Sequence, residues 1–587
     1  MRIEGKRIIA FIIKKTDKEY VIHLADTENR LDNGYKKTKI GINSENIGRI
    51  ASMFSNDKYA FVGFGNKYND NIIVNYVIKN KDVLKSCNVN YITTKLGQIL
   101  EDTLKGEDEL LQKEYKYANL FNSFDLQRFL LSKDEMVSLE QFVKSSDFKY
   151  VDEEHDIDNI CNILDENTNR INARIKVEEI YNEDLFEKHE GVSGARLMKS
   201  LYLKKNKLKW SEIKDKHNDV KNVKLGDIIL PNIKFKDDNL NKFLDELKRE
   251  TVSPTDNWWK CIALKKIMLT INLAGLRMNT PPIKLESDQD GDIYNIDVAS
   301  FFPSILDAYK IKPLQVNDTF LEIYHDMLTR RLEFKKTDKD CSDCMKLMLV
   351  GVIGQFMIEN SWLYDPEASL KIRINGALLM LMLVEMIYDV AEIYCVTIDG
   401  MFIKSFGTGN FEKIRHVVDE WSELSKLNAD IVKYDSVYML SNNDYVADMT
   451  VKGFFSYKGN NGHSGTPEII RIAVSENLTH GTPIASTITS FNNTEAYLTS
   501  TTSKDTLEWN GELFKSARYY YSNDQKLCKI EKKSDFAEPE QIPITDYGVT
   551  LVDEIPDKKP DNINYQYYIS EANRIANKIK VQQLNLF

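Results

Sequence analysis

The hydrophobic pattern changes character several times along the chain. Across the first 120 residues, short apolar runs are separated by polar turns. Arg7-Ile-Ile-Ala-Phe-Ile-Ile13 and Tyr59-Ala-Phe-Val-Gly-Phe64 are compact enough to be strands, with helices expected to follow. From about 155 to 280 the apolar positions recur at helical spacing, broken by a turn-prone stretch near Asn232 and by Ser253-Pro254. A domain boundary is expected just before Pro281-Pro282. From Ile293 the expected order is strand, helices, strand. Ile323 to Met357 and Ile372 to Ile387 read as long amphipathic helices, and Ile393-Tyr-Cys-Val-Thr-Ile398 as a β-branched strand ending at Asp399-Gly400. Beyond about 440 the pattern is mixed and rich in Asn, Thr and Ser, and no internal repeat or low-complexity linker is evident.

Two carboxylates stand out against this pattern. Asp297 lies inside the apolar run Tyr294-Asn-Ile-Asp-Val-Ala-Ser-Phe-Phe-Pro-Ser-Ile305, which breaks at Pro303. An ionised Asp in such a strand is costly to bury without a cation or donors, which makes a metal ligand the first reading. In Tyr394-Cys-Val-Thr-Ile-Asp399-Gly400-Met-Phe-Ile403, the strand–Asp–Gly–strand order predicts a tight hairpin with the acid at its tip. A lone Asp-Gly is a common solvated turn; beside the Asp297 strand, the two carboxylates would converge and could hold two Mg2+ ions, with Mn2+ able to substitute. Between them, Arg331 and Lys335 are spaced i, i+4 on one helix face, and Lys346 opens Lys-Leu-Met-Leu-Val-Gly-Val-Ile-Gly354. Cations on such a face can hold a triphosphate while Gly351 and Gly354 admit a base. Taken alone, the same residues describe an ordinary basic surface helix.

Composition bounds these readings. With 587 residues the chain should hold three to five units of roughly 100 to 200 residues each. A hydrophobic content of 42% and the lack of any apolar run of about 18 residues exclude disorder and a spanning helix. The start, Met-Arg-Ile-Glu-Gly-Lys-Arg-Ile-Ile-Ala, lacks a signal peptide's apolar segment, so a cytoplasmic protein with no membrane partner is expected. Seven cysteines without an export signal read as reduced thiols, and Cys341 and Cys344 find no second pair or nearby His to complete a zinc site. The net charge of -11 argues against a uniformly basic nucleic-acid binder but leaves room for local basic patches. Lys204-Lys205-Asn-Lys207-Leu-Lys209-Trp210 and Arg330-Arg331-Leu-Glu-Phe-Lys335-Lys336 are the candidates, although a charge run is usually a solvated face.

The run from Asp297 to Ile305 resembles the first catalytic motif of replicative DNA polymerases, Asp-x-x-Ser-(Leu/Phe)-(Tyr/Phe)-Pro-Ser-Ile. Lys346 to Gly354, Leu363-Tyr-Asp-Pro366, Asn375 to Glu385 and Thr397-Ile-Asp-Gly400 follow in the order seen in phage and mobile-element DNA polymerases (a palm of family A or B type). Within that group the chain is most similar to the polymerase-like primases of staphylococcal cassette chromosome elements. The resemblance implies an α+β, multidomain right hand. Its units would be an exonuclease-like (RNase H-like) domain over 1–175, a helical connector or thumb-like region over 176–285, palm over 286–320 and 391–450, fingers over 321–390, and a palm/thumb-like region over 451–587. It makes Asp297 and Asp399 catalytic metal ligands, puts Arg331, Lys335 and Lys346 on the nucleotide, and sets Phe302 against the sugar and Gly354 beside the base. Lys452, in Val451-Lys-Gly-Phe454, would track the primer–template duplex. Where the family has Asn and Tyr on the fingers helix this chain has Val350 and Ile353, so base stacking on Tyr is lost and the pocket is reshaped.

The N-terminal region resembles a 3'–5' exonuclease whose first strand should carry Asp-x-Glu; Ile12 and Lys14 stand there instead, and a strand without carboxylates cannot assemble that metal site. Gly63-Phe-Gly-Asn66-Lys-Tyr-Asn-Asp70 keeps Asp70, and the third motif around Asp165 is blurred. The expectation is an inactive exonuclease fold and a DNA-directed nucleotidyltransferase without proofreading, a polymerase or primase serving a mobile element. Its partners would be single-stranded or primed DNA template, nucleoside triphosphates, a small partner protein and a replicative helicase. The alternative is a catalytically silent polymerase fold that binds DNA or scaffolds replication proteins. Tyr519-Tyr520-Tyr521 could stack on unpaired bases, with an ordinary core as the plainer reading.

Overall fold

The computed structural model describes residues 2–581 apart from 4, 32–33, 67–68, 107, 117, 119, 131–136, 146–155, 184–193, 449, 457–465, 532–539, 553–554 and 557. It is a mixed α/β, multidomain structure. The N-terminal sheet contains β1 (Lys6–Lys15), β2 (Tyr20–Leu31), β3 (Gly34–Gly41), β4 (Tyr59–Gly63) and β5 (Ser123–Asp125), in the spatial order β3-β2-β1-β4-β5. β4 runs parallel to both β1 and β5, while β2 is antiparallel to its neighbours. Alternation along β1 explains its two cores. Ile8 and Ala10 face Val62, Phe124 and the helix Asp156–Glu166, whereas Phe11 joins Phe54, Phe61 and Phe121 on the other face. α1 (Asp70–Lys79) covers the second face, and α2 (Asp156–Glu166) the first.

The next stretch departs from expectation. Helices α3 (Thr168–Ile180) and α4 (Gly194–Asn206) keep the helical period, but 259–278 form an antiparallel sheet of β6 (Trp259–Leu264), β7 (Ile267–Asn272) and β8 (Gly275–Met278). Period-two burial is the reason. Ile262 and Leu264 on β6, with Leu269 and Ile271 on β7, point into the core while Trp259, Cys261 and Met268 point out, so the helical reading counted two alternating strands as turns of helix.

The central sheets follow β9 (Ile283–Glu286). β10 (Ile293–Val298) leads into α5 (Phe301–Ala308), then α6 (Thr319–Thr337) and α7 (Lys339–Gly354). The predicted long helices over 323–357 are broken at Asp338, whose backbone is extended and whose side chain accepts the Cys341 N–H at 3.1 Å as the α7 N-cap. α8 (Pro366–Ile387) starts cleanly, with Pro366 in the first turn and the Asp365 side chain accepting the Ala368 N–H. It is not amphipathic as the sequence led us to expect: from Ile374 to Ile387 every residue is buried, as a helix apolar on all sides must be. Within that stretch Asn375 accepts the Leu230 N–H at 2.7 Å and Glu385 that of Asp237 at 2.7 Å.

β11 (Ala391–Val396), β12 (Gly400–Ser405) and, after the helix Phe411–Ser425, β13 (Ala429–Tyr434) complete a four-stranded sheet in the order β11-β12-β10-β13. One of its faces packs on α5 and α8. The other meets β9, β14 (Ser436–Ser441) and β15 (Asp444–Ala447) through Ile293, Cys395, Phe402 and Tyr445. β16 (Thr450–Lys452) extends this second sheet. The C-terminal part has its own core, in which a five-stranded antiparallel sheet containing Thr499–Trp509 and Glu512–Tyr521 packs against helices Glu468–His480 and Tyr565–Val581. Tyr519, Tyr520 and Tyr521 are buried there, which settles them as core rather than a platform for bases.

Candidate active site

The register of the four-stranded sheet brings the two carboxylates together. Asp297 near the end of β10 lies opposite Gly400 of β12 and opposite Asp430 of β13. The predicted hairpin is present, closed by the Thr397 N–H donating to the Gly400 carbonyl at 2.8 Å. The Asp399 carbonyl accepts the Val298 N–H at 2.8 Å, which ties the hairpin tip to the strand carrying Asp297, and Thr397 Oγ1 donates to Asp399 Oδ1 at 3.2 Å. Gly400 is there because of crowding: a Cβ at that position would sit 2.6 Å from the Ile296 carbonyl and 3.3 Å from the Asp297 Cα.

Beyond Val298 the chain turns sharply. Ser300 adopts the left-handed backbone (φ 52°) and opens α5, and its buried hydroxyl has no partner among the described residues. Such strain and an orphaned hydroxyl three residues after a carboxylate are features that cluster at functional sites. Phe302 is half-buried, 5.3 Å from the Phe301 ring. α5 can approach α8 because Gly376 is bare; a Cβ there would meet Ile305 and Phe301 at 3.1 Å.

Asp297 is half-buried and Asp399 exposed, and neither makes an ion pair with a described residue. Burial, then the nearby Asp399 charge, raises the Asp297 carboxyl above the ordinary range; Lys452 and Lys335 oppose the shift and Asp430 reinforces it. Asp430 itself is held by Lys335 at 2.9 Å. Among the described residues no three His, Cys, Asp or Glu side chains group as they would round one ion. The donor set facing this space is therefore two aspartates. Unpaired carboxylate oxygens suit a hard divalent cation such as Mg2+ or Mn2+, and the electrostatic penalty on Asp297 is one that a cation would relieve.

The remaining residues expected here divide into those the fold places by the carboxylates and those it does not. Lys335 reaches Asp430 from the C-terminal part of α6. Lys452, exposed on β16, pairs in register with Tyr445 and acts electrostatically on Asp297. Arg331 does not share the solvent face of Lys335. It is buried on α6, has no carboxylate partner among the described residues, and burial lowers its pKa. Lys346, Val350 and Gly354 form an exposed face of α7, where a Cβ at Gly351 or Gly354 would meet nothing within 4 Å. Among the described residues no hydrogen bond or ion pair joins that face to the carboxylates. Asp430 was missed in the sequence because its only signal is its register opposite Asp297, which no local pattern records.

The N-terminal acids are tied down. Lys14 pairs with Asp156 at 2.7 Å, Lys37 with Asp158 at 2.5 Å, and the Tyr35 hydroxyl donates to Asp165. Asp70 is buried, accepts the Ile13 N–H and is pushed up to about 8, first by burial and then by Asp125. Lys67 and Tyr68 of that motif lie outside the described residues.

No model of a known protein family matches the chain, and no curated protein does. Among solved structures it is similar to the family B DNA polymerase from the hyperthermophilic archaeon Pyrobaculum calidifontis. The likeness covers 98% of this chain and 78% of that one, at 10% identity and a TM-score of 0.41. A likeness that faint carries no argument, and the functional reading rests on the residues of this chain. No helix among the described residues is long and apolar enough to cross a membrane.

Proposed function

We propose that the chain is a template-directed nucleotidyltransferase of DNA polymerase type, acting through Asp297 and Asp399. One observation carries this reading: two carboxylates with no ion pair among the described residues are brought together by a main-chain hydrogen bond between a strand and the tip of the neighbouring hairpin, where burial disfavours the charge of Asp297. The two aspartates would hold Mg2+, or Mn2+ in its place, which when bound supplies charge neutralisation for phosphoryl transfer from a nucleoside triphosphate to a primer hydroxyl.

The other residues take positioning roles. Lys335 can exchange Asp430 for a phosphate, and Lys346 and the buried guanidinium of Arg331 add positive charge for a triphosphate. Phe302 packs where a sugar would lie and disfavours a 2' hydroxyl, Gly354 leaves room for a base, and Lys452 beside Asp297 contacts the duplex. In this reading 286–320 and 391–450 are palm, 321–390 fingers, 176–285 a connector and 451–587 a palm/thumb-like region. Residues 1–175 are an RNase H-like exonuclease frame that does not proofread, since its first strand carries Ile12 and Lys14 where carboxylates would be needed and Lys14 pairs with Asp156. Short synthesis by a primase or polymerase of a mobile element, with a small partner protein and a helicase, fits an enzyme without proofreading. The second reading, a silent DNA-binding or scaffolding fold, is favoured by Val350 and Ile353 in the positions of Asn and Tyr.

The deciding experiment is incorporation of labelled nucleotides with Mg2+ or Mn2+ on single-stranded and primed DNA. Asp297→Ala should lower incorporation by at least ~10³-fold, a loss of about 4 kcal/mol in transition-state stabilisation, while DNA affinity stays within about twofold. Incorporation by the variant at the wild-type rate would overturn the assignment, and a silent wild type would favour the scaffold.

A further inference from the structure

The segment from Lys199 to Lys224 has nine lysines against three acids, Glu212, Asp215 and Asp219, and so is strongly positive in a chain of net charge -11. Three of its lysines find carboxylates: Lys204 with Glu183, Lys205 with Glu322 and Lys214 with Asp215. Lys207, Lys209, Lys216, Lys221 and Lys224 are exposed and their ammoniums make no ion pair among the described residues, although the Lys209 main-chain N–H donates to Glu212 at 2.6 Å. Five exposed ammoniums within 18 residues of chain make this stretch attractive to an anionic partner.

The ledge is fixed in place by contacts that do not use those lysines. Asn206 at the end of α4 accepts from Asn317 Nδ2 at 2.6 Å, just before α6, and Asn218 donates to Asp365 at 3.0 Å, the cap of α8. Trp210 stands among the lysines with 37% of its surface exposed, and the Lys199 ammonium lies 4.1 Å from its ring centroid. An exposed indole with an ammonium against its ring, in a lysine-rich stretch, offers stacking to a base and charge to a backbone, a combination a paired duplex cannot use because its base faces are covered.

We propose that this ledge, built from Lys207, Lys209, Trp210, Lys216 and Lys221, is a docking site for single-stranded nucleic acid outside the carboxylate site. The ledge adjoins Glu322 on α6, and the Lys335 contact to Asp430 lies on the same helix. The intervening 13 residues (335 minus 322) span about 20 Å at the α-helical rise. That is room for about six nucleotides at the spacing of stacked bases. The direction of the strand, unpaired template leading toward Asp297, rests on the proposed polymerase function; binding to the ledge does not.

The test is anisotropy of labelled oligothymidylate, and of a hairpin duplex, with the full chain over a range of salt. The fourfold variant Lys207→Glu, Lys209→Glu, Lys216→Glu, Lys221→Glu should bind the single strand at least tenfold more weakly. Its log affinity against log salt should have a slope shallower by about 3, at ~0.7 per phosphate contact. Trp210→Ala should weaken the single strand about tenfold and leave the duplex nearly unchanged. Extension of a primer on a template with a one-nucleotide overhang should survive the fourfold variant, while extension on long overhangs falls. Unchanged affinity and slope would overturn the proposal. Equal losses for strand and duplex with no effect of Trp210→Ala would also overturn it, and would mark a general polyanion surface. The matching alanine variant, checked by thermal unfolding, guards against a folding defect. If wild type incorporates nothing yet the ledge variants lose single-strand binding, the polymerase reading fails and the ledge stands.

Discussion

Gly400→Ala is the most direct test of how the carboxylates are held. The added Cβ would lie 2.6 Å from the Ile296 carbonyl, so β10 and β12 must separate by ~0.8–1 Å to restore ordinary contact. Both neighbours are main chain, so no side-chain rotation relieves the clash. Overpacking of this kind costs ~1–3 kcal/mol. The same movement displaces Asp297 from Asp399, since the Asp297 Cα and Oδ1 lie 3.3 and 3.4 Å from the new atom. A misplacement of about 1 Å at reacting groups is worth ~10² in rate. The expected outcome is a lower melting temperature together with roughly 100-fold slower incorporation on a primed template, at unchanged single-strand affinity. Wild-type melting and wild-type incorporation together would refute the packing argument. Lost melting temperature with unchanged incorporation would show that the strand separation does not control the carboxylates.

Other expectations concern buried charge. Asp70 is raised to about 8 against an ordinary 3.8, so its proton stabilises the fold fully below about pH 4, and that contribution of up to ~5–6 kcal/mol is lost as pH rises toward 8. Asp70→Asn should flatten the fall in melting temperature of the N-terminal transition between pH 5 and 8 and exceed wild type at pH 8; parallel curves would show that Asp70 is not held protonated. Arg331 is buried with no ion pair among the described residues and only the more distant charge of Asp343 acting on it, so Arg331→Met should leave stability unchanged or raise it by ~1 kcal/mol. If the guanidinium contacts a phosphate, the same variant should raise the nucleotide KM by about 10- to 100-fold. A large loss of stability with an unchanged KM would make Arg331 structural.

What could be read from residues alone is what short-range pattern encodes. The strand at 293–298, the break at Pro303 and the hairpin around Asp399 depend on neighbours within a few positions, where β-branching, Pro and Asp-Gly act directly on the backbone. The departure of Ile12 and Lys14 from an acidic first strand was likewise visible before any fold was known. Period alone misread 259–278, because alternating strands joined by short turns can imitate helical spacing, and it misread α8, whose burial on every side comes from elements distant in sequence. Long-range register decided the rest. Asp430 is opposite Asp297 only because β13 pairs with β10, Lys335 is neutralised only because α6 leans over that strand, and Arg331 turned inward although its spacing matched Lys335. Charge and local conformation are written along the chain, but which charges meet, and at what desolvation cost, depends on the packing of segments far apart in sequence.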